Sequence, residues 1–145
     1  TDGCDAVAAA SIRTRENLRD TEQRIADLAL LGKQIDTYRK LKPVYDRYKA
    51  SKDKEKFLRG FESEIILFEA AAREIKKAGL TKLPSSDKLK AELDGLSARK
   101  TALQTELRKI RREEKEYDTL RQNVDTLLER PKEQEQQRQR SNDLE

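Results

Sequence analysis

One apolar residue stands at every seventh position along the later part of the chain, and this repeat constrains the fold more than any other feature. The residues that form the repeat are Leu89, Leu96, Leu103, Ile110, Tyr117 and Val124. A seven-residue apolar repeat is typical of a helix that packs along one face in a coiled coil or slender bundle. The sequence therefore predicts a long third helix over about residues 86–130, which Pro131 ends.

The composition limits how such a helix can be buried. Charged residues make up 41% of the 145-residue chain and hydrophobic residues 34%, so a thick core cannot form and the apolar side chains must lie in narrow stripes. A coiled-coil helix normally has a second apolar position in each seven-residue repeat, four residues after the first. In the third helix this second position holds leucine in half of the repeats and a charged residue in the other half: Lys100, Glu114 and Arg121. These charges are expected at the edge of a bundle, with their stems packed and their charged groups in water.

Two earlier stretches carry apolar stripes at helical spacing. The first, over residues 11–40, consists of Leu18, Ile25, Leu28, Leu31, Ile35 and Tyr38. The second, over residues 53–78, consists of Phe57, Phe61, Ile65, Phe68, Ala72 and Ile75. Pro43 disfavours helical geometry at the residue before it and removes a backbone donor, so we expect a break there and a short helix over 43–50.

These elements predict an all-α protein, an elongated antiparallel three-helix bundle or coiled coil in which the third helix is long. Because the connections are short, each helix is expected to reverse the direction of the one before it. Residues 1–10 are small and weakly patterned, and we expect them to form a flexible N-terminus outside the helical domain of 11–130. Residues 131–145 have almost nothing to bury and are expected to be disordered.

Several classes of function are unsupported by the residues present. The chain has no histidine, no glycine-rich phosphate loop and no nucleophile elbow, so we expect no catalytic site and no cofactor. The lone Cys4 cannot form an intrachain disulfide or a metal site, which is typical of a reducing cytoplasm. No apolar run is long enough for a membrane span and no signal peptide is visible. The absence of methionine indicates a piece of a larger polypeptide.

Positive charge is concentrated in residues 38–56, which we call the basic segment. It holds eight Lys and Arg against three Asp and Glu, an excess of five in a chain whose net charge is +4. Three tyrosines and Pro43 lie within it. The candidate DNA-contacting residues are Arg39, Lys40, Lys42, Tyr45, Arg47, Tyr48, Lys49, Lys52, Lys54 and Lys56.

Three interpretations of the basic segment are open. It can be a turn between two helices, with solvated lysines and with Tyr45 and Tyr48 packed on the end of the bundle. It can bind DNA, with the cations on phosphates and the tyrosines stacked on unpaired bases. It can also dock a protein. A second basic group, over residues 108–115, is followed closely by three glutamates, which favours ordinary pairing on a helix surface over a binding patch.

Four segments, taken in order, resemble a known family. They are IRTRENLRDTEQRIADLALLGKQIDTYRKLKPVYDRYKAS, KEKFLRGFESEIILFEAAAREIKK, LPSSDKLKAELDGLSARKTAL and LRQNVDTLLER. In that order they are similar to the C-terminal helical region of relaxases, the mobilisation nucleases of conjugative and mobilisable elements in Firmicutes-type bacteria. The resemblance covers most of the chain, roughly residues 12–129.

The resemblance implies an accessory module and not a nuclease. Relaxases nick one DNA strand with a tyrosine nucleophile and a histidine-ligated metal, and neither feature maps onto this chain, which has no histidine. The implied function is support of plasmid or transposon mobilisation through protein contacts, with a second copy or another helical protein, and through DNA contacts. The alternative is a structural coiled-coil scaffold that never touches nucleic acid. Neither interpretation involves a membrane or a small-molecule substrate.

Overall fold

The computed structural model describes the backbone of residues 2–143 and the side chains of residues 3–129. Three helices account for nearly all of this part of the chain: α1 at Asp2–Ala50, α2 at Lys54–Lys77 and α3 at Ser86–Asp143. No strand occurs within the described backbone. Contacts of α1 with α2 and of α1 with α3 form a three-helix bundle, so the predicted all-α fold class is confirmed.

Two of the predicted helix boundaries in α1 were wrong. Residues 2–10, predicted to be flexible, form the first turns of α1, and the helix continues through Pro43 instead of breaking there. Proline in a helix interior costs roughly 3 kcal/mol, since it removes one hydrogen bond and its ring crowds the preceding turn. Ring contacts of Tyr45 and Tyr48, which follow Pro43, with Phe68 and Phe57 of α2 offset this cost.

The predicted end of α3 also differs from the structure. The helix passes Pro131 and extends to Asp143, whereas the sequence predicted an end at about residue 130. The predicted disorder of residues 131–145 is therefore wrong for residues 131–143, whose backbone is helical, and residues 144 and 145 lie outside the described residues.

Helix α2 begins and ends where the chain has suitable capping residues. Asp53 is the N-cap, and its carboxylate accepts a hydrogen bond from the backbone N–H of Lys56 at 3.1 Å. At the other end, Gly79 has a φ of +75°, a conformation that glycine adopts without the steric cost of a side chain. Within α2 the backbone leaves helical geometry at Phe61, directly after Gly60, which produces a kink.

The N-cap of α2 leads to a first prediction. Replacing Asp53 with alanine leaves one N–H at the start of α2 without its acceptor and should lower the free energy of unfolding by about 1 kcal/mol. Urea denaturation followed by circular dichroism measures the change. The replacement of Asp36, an exposed acid in the middle of α1, by alanine is the control and should change it by less than about 0.5 kcal/mol. Equal effects of the two replacements would contradict the capping role.

The described chain divides into two compact units. In one, residues 19–100, a core cluster of Leu28, Ile35, Ile75 and Leu89 joins all three helices. Along α1 and α2 the contacts run in opposite order, since Tyr48 meets Phe57 and Tyr38 meets Phe68. These two helices are therefore antiparallel, as their short connection predicts.

The direction of α3 differs from the prediction. Arg39 donates a hydrogen bond to the carbonyl of Pro84, and Lys100 pairs with Glu22 at 3.8 Å, so α3 also runs antiparallel to α1. Within this unit α3 therefore has the same direction as α2 and does not reverse again. The reason is the connection of residues 78–85, which can span up to about 3.5 Å per residue and so return along α1. Leu80 and Leu83 pack on the core cluster along this path.

The other unit consists of α1 up to Leu18 and α3 from Thr101 onward. Leu103, Leu107 and Ile110 of α3 are buried here, together with Ser11 and Thr14 of α1. The Ser11 hydroxyl is satisfied, because it accepts a hydrogen bond from the guanidinium of Arg15 at 2.9 Å. Small side chains on α1 thus allow the larger residues of α3 to approach closely.

Candidate nucleic-acid interface

The basic segment contains the turn between α1 and α2, but Pro43 is not the turn. The chain reverses at Ser51, Lys52 and Asp53, after α1 has ended at Ala50. The backbone N–H of Ser51 donates to the carbonyl of Tyr48 at 3.2 Å, and its hydroxyl donates to the carbonyl of Asp53 at 3.1 Å. The first part of the basic segment is therefore helical, and its side chains are spaced as on a helix surface.

The three tyrosines of the basic segment belong to a continuous set of ring contacts, which we call the aromatic cluster. Phe68, which is 5% exposed, stacks with Tyr38 at 4.7 Å and with Tyr45 at 4.3 Å between ring centroids. Tyr45 contacts Tyr48 at 6.1 Å, Tyr48 contacts Phe57 at 6.1 Å, and Phe57 stacks with Phe61 at 4.7 Å. The members of the cluster are Tyr38, Tyr45, Tyr48, Phe57, Phe61 and Phe68.

The aromatic cluster bears on both the fold and the proposed base stacking. Two of these contacts, Tyr45 with Phe68 and Tyr48 with Phe57, join residues that follow Pro43 to α2. Aromatic pairs contribute about 0.5–1.5 kcal/mol each beyond the area that they bury, so these two contacts and their buried area can offset the cost of Pro43 within α1. The rings of Tyr45 and Tyr48 already face other rings and are half-buried. This arrangement favours the interpretation of the tyrosines as packing residues over stacking on unpaired bases.

Four of the eight candidate cations have partners within the protein. Arg39 donates to the Pro84 carbonyl, and Lys42 pairs with Asp46 at 3.2 Å. The guanidinium of Arg47 lies over the rings of Phe57 and Phe61, at 5.6 and 5.5 Å from their centroids. The Lys49 ammonium lies 5.4 Å from the centre of the Tyr45 ring. All four remain exposed, but their geometry is tied to the turn and to the aromatic cluster.

The other four candidates, Lys40, Lys52, Lys54 and Lys56, differ from this group. They are exposed, and their side chains make no ion pair or hydrogen bond with the described part of the chain. Three of them flank or begin α2, where the positive end of the helix dipole disfavours cations. The helix dipole therefore gives no local reason for lysine at these three positions, and either a bound anion or the solvation of an exposed turn is consistent with them. We call these four residues the free lysines.

The second basic group, on α3, does not make the pairs that the sequence favoured. Arg108 donates to the hydroxyl of Thr105 at 3.2 Å. The ion pairs found among the described residues involve none of the cations at 108–115, although Glu113 and Glu114 are near in sequence. The ordinary surface pairing expected here is thus absent among the described residues, and the side chains of this group are exposed.

Among the side chains that the structure describes, no three Cys, Asp or Glu residues come together in a way that could hold a metal ion. None of the described helices combines the length and the apolar character that crossing a membrane requires. Comparison with protein-family models, with curated proteins and with solved structures gives no match to this chain.

One alternative in the sequence interpretation packed Tyr45 and Tyr48 on the end of the bundle, but the continuous aromatic cluster was not predicted, although a signal for it was present. Tyr38, Tyr45 and Tyr48 follow one another at steps of seven and three, which places them on one face if the helix continues through Pro43. The phenylalanines of α2 lie at a comparable spacing after a short turn. This shared face was not recognised, because the prediction ended the helix at proline and therefore assigned Tyr38 to a different helix from Tyr45 and Tyr48.

Proposed function

We propose that the chain is a non-catalytic helical accessory module of a relaxase. In this role it supports DNA mobilisation and conjugative transfer through protein contacts and through sequence-independent contacts with DNA phosphates. The relaxase assignment is supported by the ordered resemblance of four segments over most of the chain. The DNA contact is supported by one structural observation: the four free lysines are exposed and have no partner among the described residues.

The arrangement of charge is suited to phosphates and not to base recognition. Lys52, Lys54 and Lys56 lie in the turn at residues 51–53 and at the start of α2, so an anionic backbone could contact several of them at once. Lys40 lies roughly 15 Å back along α1. Such contacts release counterions, depend steeply on salt and carry no sequence information. The Tyr45 and Tyr48 rings are occupied within the aromatic cluster, and we therefore assign them no contact with bases.

A scaffold without any nucleic-acid contact is the second candidate function. The observation in its favour is a row of exposed apolar side chains on α3 at Leu120, Val124, Leu127 and Leu128. A set of this kind on one helix is typical of a surface that binds another protein. The two functions are compatible in one protein, but only the first requires the free lysines.

The test measures DNA binding by a variant in which all four free lysines are replaced by glutamate. The replacements lower the net charge by eight, from +4 to −4. They do not threaten α2, because acidic residues at a helix start are favoured by its dipole. We expect at least a tenfold loss of affinity for short duplexes at about 50 mM salt, and a salt dependence shallower by about 0.9 per lost phosphate contact.

The matched control carries the same charge change elsewhere on the exposed surface, through replacement of Lys33, Lys82, Lys88 and Lys90 by glutamate. Binding should survive in the control, with only the smaller loss that reduced net charge causes. An equal loss in both variants, or no binding by the unmodified chain, would favour the scaffold. The relaxase assignment has a separate test, since it requires the parent gene to encode an upstream nuclease domain with clustered histidines.

A further inference from the structure

The exposed apolar side chains of α3 form a continuous stripe. Leu120, Val124, Leu127 and Leu128, which we call the apolar stripe, are 59, 53, 63 and 69% exposed. Earlier on the same helix Leu103, Leu107 and Ile110 are at most 9% exposed, so the apolar face changes from buried to exposed within α3. A single exposed leucine needs no explanation, but four along three turns do.

Tyr117 marks the point where this change occurs. Its hydroxyl lies 2.6 Å from the position that a Cβ on Gly3 would occupy, and it is 37% exposed. One turn later, the Arg121 guanidinium donates to the sulfur of Cys4 at 3.3 Å. Tyr117 is therefore partly covered by the start of α1, while the apolar stripe that follows it is exposed.

The spacing of the stripe is that of a coiled-coil seam. Tyr117, Leu120, Val124 and Leu127 alternate at steps of three and four, which makes Tyr117 and Val124 the a positions and the two leucines the d positions. The exposed residues thus define a different register from the seven-residue repeat read in the sequence, in which Arg121 occupied a seam position. Of the two a residues only Val124 is β-branched, and a β-branched residue at a with leucine at d favours two parallel strands.

Charge on either side of the seam favours a second copy as the partner. In a parallel pair, a residue at g lies opposite the residue at e of the next heptad on the other helix. Here g is Glu116 and the following e is Arg121, so a second copy in register places opposite charges together on both sides of the seam. Both side chains are exposed, and Arg121 would exchange its hydrogen bond to Cys4 for this contact.

We propose that the apolar stripe is a homodimer interface, at which two copies of α3 form a short, parallel coiled coil with Glu116 of each copy opposite Arg121 of the other. The seam has only a few apolar layers, so the dimer should be weak and dependent on concentration. The proposal uses no residue of the basic segment. Its success or failure is therefore independent of DNA binding.

The first experiment is sedimentation equilibrium of the full chain over a range of concentrations without DNA. The mass should rise from 16.8 kDa toward about twice that value. Replacing Leu120 and Leu127 with glutamine should shift the monomer–dimer midpoint at least tenfold to higher concentration, with unchanged unfolding, since both side chains are exposed in the monomer. The control replaces Leu30 and Leu67, which are 57 and 55% exposed, and should leave the midpoint unchanged.

A charge exchange tests the parallel register. The variants Glu116→Arg and Arg121→Glu each place like charges opposite one another, so each alone should be monomeric where the unmodified chain is dimeric. An equimolar mixture of the two restores both opposite-charge contacts and should restore the dimer. The proposal would be overturned if the unmodified chain is monomeric at all concentrations, or if the mixture of the two charge variants stays monomeric. It would also be overturned if the glutamine variant still forms the dimer, or if the control variant weakens the dimer equally.

Discussion

Replacing Phe68 with alanine is expected to lower the free energy of unfolding by about 3–5 kcal/mol, the largest effect of any single change considered for this chain. Phe68 is 5% exposed and is the ring against which both Tyr38 and Tyr45 stack. Its removal leaves a cavity and ends two of the contacts that hold the last turns of α1 on α2. For a chain whose total stability is of the order of 5–15 kcal/mol, such a loss is severe.

Urea denaturation followed by circular dichroism checks this expectation through the midpoint, provided that its slope is unchanged. The neighbouring Leu67 is the matched control, because it lies on the same helix but is 55% exposed. Its replacement by alanine should alter the free energy of unfolding by less than about 0.5 kcal/mol. A loss below about 1 kcal/mol for the Phe68 variant would show that the aromatic cluster contributes little to stability.

Replacing Pro43 with alanine is expected to have the opposite effect and to raise the free energy of unfolding by about 2 kcal/mol. Alanine restores the N–H that can donate to the carbonyl of Arg39, and it relieves the crowding of the preceding turn within the continuous helix α1. Alanine is favoured over proline in a helix interior by about 3 kcal/mol, less about 0.4–1 kcal/mol because proline restricts the unfolded chain.

The same denaturation measurement applies to Pro43, with the exposed Lys40 replaced by alanine as the control in the same stretch of helix. The control should change the free energy of unfolding by less than about 0.5 kcal/mol. If the Pro43 variant is unchanged or less stable, then proline contributes to the path of α1 that Tyr45 and Tyr48 require. That result would contradict the view that Pro43 destabilises α1 and that packing of the tyrosines outweighs this cost.

In the basic segment, the tyrosines and the lysines have different roles in the structure, although they are interleaved in the sequence. This interleaving left open a turn with packed tyrosines, a surface of phosphate contacts and base-stacking rings, and a docking site for a protein. In the structure the rings of Tyr45 and Tyr48 turn toward α2, while Lys52, Lys54 and Lys56 remain in solvent without a partner among the described residues. Any DNA contact therefore rests on electrostatics, and the tyrosines are explained by packing.

Periodicity and composition by themselves determined the fold class. Apolar residues at steps of three, four and seven, few glycines and prolines, and a high charge content leave helices as the only elements that can bury this sequence. Local capping chemistry likewise depends on near neighbours, and Asp53 and Gly79 lie at the ends of α2 for reasons visible in the sequence. The absence of histidine excluded its acid–base chemistry in the same way.

Only the tertiary structure decided the features that depend on contacts between distant residues. Whether α1 breaks at Pro43 is a balance between a local cost and packing against Phe68, and sequence rules contain only the first of these terms. The direction of α3 depends on how Leu80 and Leu83 pack along α1, since the connection is long enough to allow either direction. The exposure of Leu120 and Leu127 is likewise a matter of packing, because burial depends on which surfaces meet and not on the periodicity of one helix.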